Sequence, residues 1–230
     1  MRTGWYDSVL MFSGQIFFQN LTTDPQFFWA VCITVIVSVC LHELSHGMAA
    51  IWLGDRTPIE TGHMTLNPLK HMGGMSLILL LVAGIAWGAM PVNPRRMRGR
   101  FAPALVAAAG PACNVLLAIV SLGLLGLWQR QNQGGSDDPT GGIGSVQYFA
   151  WVFGSVNLVL AIFNLLPIPP LDGSRIAADF IPSYARLAEA MRAGGGASIV
   201  FLLVFLFAGR LIYPAADAVA GAMLTFARGY

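Results

Sequence analysis

The chain has 230 residues, 56% of them hydrophobic and only 10% charged, with a mean hydropathy of +0.65. Soluble domains carry about 25% charged residues, so the composition excludes an ordinary water-soluble globule and points to an integral membrane protein. A formal charge of +2 gives no reason to expect a polyanionic partner, and no nucleic-acid role is indicated.

In chain order, residues 5–20 are apolar but interrupted by Asp7, Gln15 and Gln19, which suits an interfacial helix or a short span. Nothing at Met1-Arg2 and beyond has the form of a cleavable secretory signal. Thr22, Thr23, Asp24 and Pro25 read as a helix start, and residues 27–53 then run long enough to cross a bilayer before Gly54. Turn signals at Pro58, Gly62 and Asn67-Pro68 predict a small β-hairpin or extended loop over 55–72. Residues 73–90 are apolar but of borderline length and rich in glycine. A basic stretch to Arg100 follows, then an apolar segment over 101–128 and a polar loop over 129–142. Residues 145–166 form the next span and break at Pro167, Pro169 and Pro170 before Leu171-Asp172-Gly173. An amphipathic surface helix is predicted over 176–192, a last span over 198–213 closed by Pro214, and a short helix over 215–228. The pattern is that of an all-α polytopic membrane protein. It has about four to six membrane segments in a single domain, 1–230, with its core over 27–175. Cys32, Cys40 and Cys113 lack C-x-x-C spacing and read as small core residues.

Within the first span, His42, Glu43 and His46 form H-E-x-x-H. With four His and three Glu in the chain, chance placement produces this pattern about once in a thousand such sequences. On a helix the two imidazoles project from one face with Glu43 beside them, the usual anchor of a hydrolytic zinc site with the Glu as general base. Ionisable groups in an apolar span are costly and mark function. Zinc in a hydrolase takes three protein ligands and leaves a position open. His63 and His71 lie in the loop after the motif helix, so Asp172, following a prolyl break and beside Gly173, is the better third ligand.

Depth then constrains topology. For His46 and Asp172 to share one metal, the chain near Leu53 and near Leu166 must face the same side. The spans over 101–128 and 145–166 are antiparallel, so Arg100 is on that side too. Residues 73–90 therefore cannot make a simple single crossing, and are expected to enter and return as a re-entrant wall. Arg56, Lys70, Arg95, Arg96, Arg98 and Arg100, with Arg175, Arg186 and Arg192, then share that side, against Arg130, Asp137 and Asp138 opposite. The positive-inside rule makes it cytoplasmic.

These residues resemble the site-2 protease family of intramembrane zinc metalloproteases. His42-Glu43-Leu44-Ser45-His46 matches the family's H-E-x-x-H. Asn164-Leu165-Leu166-Pro167 leading to Leu171-Asp172-Gly173 looks like its second signature, and Gly110-Pro111-Ala112-Cys113-Asn114 is similar to its G-P-x-x-N. The resemblance implies one zinc ion held by His42, His46 and Asp172, with Glu43 as catalytic acid and base. It also implies cleavage of peptide bonds in or near transmembrane helices of membrane-anchored protein substrates, as in regulated intramembrane proteolysis, in the cell membrane of a prokaryote. Asn114 and Asn164 would hold substrate backbone or polarise the scissile carbonyl, or else bond helix to helix. Leu66-Asn67-Pro68-Leu69-Lys70-His71 looks like small single-domain members, although Gly73-Gly74 stands where Asp-Pro is expected. No PDZ insertion fits in this length, so recognition is expected to rest on the membrane core. The alternatives are a membrane metal-ion transporter, which gives Glu43 and the prolyl break no role, and an inactive scaffold.

Overall fold

The computed structural model describes residues 17–131 and 145–229, and the regular elements among them are helical. The helix that carries the motif, α1 (Pro25–Trp52), starts where the Asp24 carboxylate accepts the Phe27 N–H at 3.0 Å and Pro25 occupies the first turn. Its 28 residues rise about 42 Å, and it ends at Gly54, whose φ of +103° suits glycine. α2 (Gly73–Ala83) follows, then α3 (Ala102–Gln131), α4 (Ser145–Asn164), α5 (Asp172–Phe180), α6 (Pro182–Ala193) and α7 (Gly196–Arg228). Among the described residues, Pro25–Trp52, Ala102–Gln131 and Val146–Asn164 are long and apolar enough to cross a membrane.

α1, α3, α4 and α7 bury one core around Ala30, Leu122, Trp151, Val152, Ala216 and Leu224. Small residues set how closely they approach: a Cβ at Gly154 would strike the Leu122 side chain, and one at Gly126 would strike Ala227. A second core joins Phe28, Cys32, Val35 and Val39 of α1 to Met72 and Leu80, which holds α2 against the motif helix.

Several sequence expectations change. No strand occurs among the described residues, so the hairpin expected over 55–72 is replaced by helical turns at Thr57–Glu60 and Pro68–His71. Each places a proline in its first turn, and the Asn67 side chain accepts the Leu69 N–H at 2.9 Å, so these turn signals start helices instead of reversing strands. α2, at 11 residues, rises only about 16 Å. It stops at Gly84 in the left-handed region, and the chain doubles back until the Ala89 N–H meets the His71 carbonyl at 2.9 Å. The helix expected over 176–192 is two, because Ile181 precedes Pro182 and is held extended. At Pro214 the opposite happens: α7 runs through it as one helix of 33 residues, so the expected span and short helix are continuous. An apolar setting tolerates proline within a helix, as at Pro111 of α3. Most of the stretch over 5–20 lies outside the described residues, as does most of the loop over 129–142.

The loops that follow α1 and α2 are fastened to each other. The buried Asp55 carboxylate accepts the Asn93 N–H at 2.6 Å, and the Thr57 N–H and hydroxyl at 3.0 and 2.5 Å. The Arg98 N–H donates to the Leu53 carbonyl at 2.7 Å, and the Asp179 carboxylate accepts the Ala104 N–H at 2.9 Å. The C-terminus of α1, the N-terminus of α3 and the end of α5 therefore gather at one end of the bundle.

Candidate metal centre

His42 and His46 sit one turn apart on α1, and the break after α4 delivers Asp172 as the first residue of α5. All three are buried, with exposures of 7%, 5% and 8%. The two Nε2 atoms are 3.0 Å apart, and each lies close to Asp172 Oδ2, at 3.1 Å from His42 and 3.2 Å from His46. A sharp turn makes this delivery possible: a Cβ at Gly173 would collide with the Leu165 carbonyl.

The far side of each ring determines what these atoms can do. His46 Nδ1 is 2.6 Å from the Val106 carbonyl oxygen, and His42 Nδ1 is 2.5 Å from Asn114 Oδ1. Oxygen acceptors there keep a proton on Nδ1 of each neutral ring, which turns the Nε2 lone pairs toward Asp172. Three lone-pair donors crowded into one buried point repel one another unless a cation joins them.

The arrangement fits zinc. A tetrahedral site with Zn–N distances of about 2.0–2.1 Å has ligand-to-ligand edges of about 3.3 Å, close to the 3.0, 3.1 and 3.2 Å seen here. His rings that ligate zinc commonly donate the other N–H to a carbonyl or similar acceptor. Space is also reserved: a Cβ at Gly110 of α3 would lie 2.5 Å from both Nε2 atoms, so only glycine leaves that side of the cluster open. Among the described residues this is the only group of three or more His, Cys, Asp or Glu placed to hold a metal ion.

Glu43 lies beside the cluster, 7% exposed, and its carboxylate takes no hydrogen bond among the described residues. The returning chain passes directly over it, since a Cβ at Gly88 would sit 2.5 Å from Glu43 Oε1. His63 and His71 stay apart from the cluster, on the loop after α1.

The two asparagines occupy different surroundings. Asn114 is fully buried behind His42, bonded to its ring and, through Nδ2, to Asn157 Oδ1 at 2.7 Å. These bonds tie α3 to α1 and α4 and include a histidine of the cluster. Asn164, half-buried at the end of α4, donates to the Leu160 carbonyl at 3.0 Å. Sequence reading passed over Ser38, Asn157 and Asp55. Ser38 stands four residues before His42 and Asn157 seven before Asn164, so both share helical faces with residues already singled out.

Comparison with known proteins agrees with this chemistry. The profile of Peptidase family M50 matches residues 135–208, which include Asp172. "Putative zinc metalloprotease YwhC" of Bacillus subtilis is 42% identical over 177 residues, covering 76% of this chain and 78% of that protein. "Putative zinc metalloprotease Rip2" of Mycobacterium tuberculosis is 30% identical over 201 residues, 81% of this chain and 71% of its own. The Rip2 protein of Mycolicibacterium smegmatis is 32% identical over 166 residues, 66% and 59% of the two chains. No solved structure matches. A relative this similar over more than three quarters of both chains, with the M50 profile and a buried His-His-Asp cluster suited to zinc, makes the chain a member of peptidase family M50, the site-2 protease family of membrane metalloproteases.

Proposed function

We propose that this protein hydrolyses peptide bonds within or near the transmembrane helices of membrane-anchored proteins, with its active site toward the cytoplasm of a prokaryotic cell. The observation that carries the reading is a zinc-ready cluster beside an unbonded carboxylate, Glu43, on a helix long enough to cross a bilayer. Zinc bound by His42, His46 and Asp172 supplies Lewis-acid activation of water and of the substrate carbonyl. Glu43 adjoins His42 in sequence and is free to accept a proton from water on its carboxylate, then hand it to the departing amine. Burial of the whole group strengthens each of these electrostatic contributions.

A substrate helix has its carbonyls engaged in i to i−4 hydrogen bonds, so it must unwind before it can be cut. Residues 91–93 and the Asn67 loop offer backbone for pairing with the unwound strand, and Asn164 contacts substrate through its uncommitted Oδ1. The cytoplasmic orientation is supported by the clustering of Arg56, Lys70 and the basic stretch Arg95 to Arg100 at the end of the bundle where Leu53 meets Arg98. The test is Glu43→Gln in purified protein. The variant is expected to keep its zinc and its fold while losing cleavage of co-expressed single-span proteins, read by mass spectrometry of the fragments. Undiminished cleavage overturns the reading.

A further inference from the structure

We infer that Asn157 is a positioning residue for His42, acting through Asn114 to hold that ring in the tautomer that presents Nε2 to the metal; this rests on the metal-centre reading above. Three helices contribute. Asn157 of α4, Asn114 of α3 and Ser38 of α1 are each fully buried. They form one chain of hydrogen bonds that ends on the His42 ring.

The direction of that chain is determined at its far end. One terminal atom of Asn157 lies 2.8 Å from the Phe153 carbonyl oxygen, which can only accept. That atom must therefore be the amide nitrogen, whichever way an amide is first drawn. It also reaches Ser38 Oγ at 2.9 Å. Asn157 Oδ1 is then the atom facing Asn114, at 2.7 Å, so Asn114 must present its own nitrogen there. Its Oδ1 is left for His42, at 2.5 Å from Nδ1. An acceptor at Nδ1 keeps the proton there and leaves Nε2 free as a donor to metal.

The two histidines differ in this respect. His46 Nδ1 faces the Val106 carbonyl, a backbone group that cannot reverse its polarity. His42 faces a side-chain amide that could rotate by half a turn and offer N–H instead, and Asn157 removes that freedom. An unpartnered amide at that depth would be costly, and its bond to Asn114 is what links Asn157 to the cluster.

The experiment compares two isosteric replacements, so that packing volume is held nearly constant. Asn157→Leu removes the acceptor opposite Asn114. Asn157→Asp keeps an acceptor there in either protonation state. Zinc content is measured in purified protein during graded competition with a chelator, and histidine tautomers are read by ¹⁵N NMR of the zinc-free protein. Loss of a partner of this kind lowers metal affinity by about 10- to 100-fold, and that loss is expected for Asn157→Leu, with His42 shifting away from the Nδ1–H form. Asn157→Asp is expected within a few-fold of wild type. A second comparison guards against misfolding: with Asn114→Asp already present, the carboxylate accepts from His42 without help, so adding Asn157→Leu should change zinc affinity little. Wild-type zinc affinity in Asn157→Leu overturns the inference, as does an equal loss in both backgrounds. A wild-type protein that binds no zinc overturns the metal centre itself, and this inference with it.

Discussion

Replacing Gly110 by alanine tests the metal centre most directly. The added Cβ would lie 2.5 Å from His42 Nε2, 2.5 Å from His46 Nε2 and 2.6 Å from His42 Cε1. Ordinary contact begins at 3.4 Å, so the rings or α3 must move by about 0.9 Å, nearly twice the roughly 0.5 Å within which a working site must be held. Neither route is easy. The rings are tethered through Nδ1 to Asn114 and to the Val106 carbonyl, and turning them leaves buried groups unpaired at about 1–3 kcal/mol each. The helix itself prefers alanine by about 1 kcal/mol, which offsets only part of that cost. The expected result is a loss of zinc affinity of at least about 100-fold, or about 2.7 kcal/mol, with the zinc-free protein still folded but unfolding at a somewhat lower temperature. Gly123 provides the control, since it lies on the same helix and a Cβ there meets nothing within 4 Å. Wild-type zinc affinity in Gly110→Ala, measured by chelator competition beside Gly123→Ala, would refute the geometry of the site.

Other substitutions separate its parts. Gly88→Ala places a Cβ 2.5 Å from Glu43 Oε1 and 2.7 Å from Val39 Cγ1, so zinc should be retained while turnover falls by about 10-fold or more; unchanged turnover would show that the returning chain does not hold Glu43. Gly173→Ala forces the turn off the Leu165 carbonyl, and metal analysis should find zinc lost as Asp172 is displaced. Asp55 gives a pH signature. Burial pushes its carboxyl up, but the Asn93 N–H and the Thr57 hydroxyl and N–H outweigh this and hold it below the ordinary range. A depressed folded pKa gives stability that is complete above the unfolded value of about 3.9 and lost as pH falls through the folded value. Thermal stability of the wild type should therefore drop below about pH 4, whereas Asp55→Asn should start about 2–3 kcal/mol lower at neutral pH and vary less with acid. Identical pH profiles would refute the assignment.

Much of this protein is written in local sequence. Composition alone placed it in a membrane, and H-E-x-x-H within an apolar helix set His42, Glu43 and His46 on one face, because the helix turns through a fixed angle per residue. The prolyl break identified Asp172, and the need for all three ligands at one depth required residues 73–90 to double back. Other features depend on segments far apart in the chain. Asn114 and Asn157 become partners of His42 only when α1, α3 and α4 pack, 43 residues of chain separating one asparagine from the other. Gly88 looks like an ordinary helix-weakening glycine and Gly110 like the first letter of G-P-x-x-N, until a neighbouring element comes within 3 Å of where a Cβ would stand. Pro58, Pro68 and Pro214 carry the same local restriction whether they start a helix, sit inside one or turn the chain, and only the packed surroundings decide among these. Helical spacing is a property of each segment alone, so the sequence determined which residues could bind metal. The close approach of helices belongs to the assembled bundle, so tertiary structure decided which groups orient those residues and how little room is left around them.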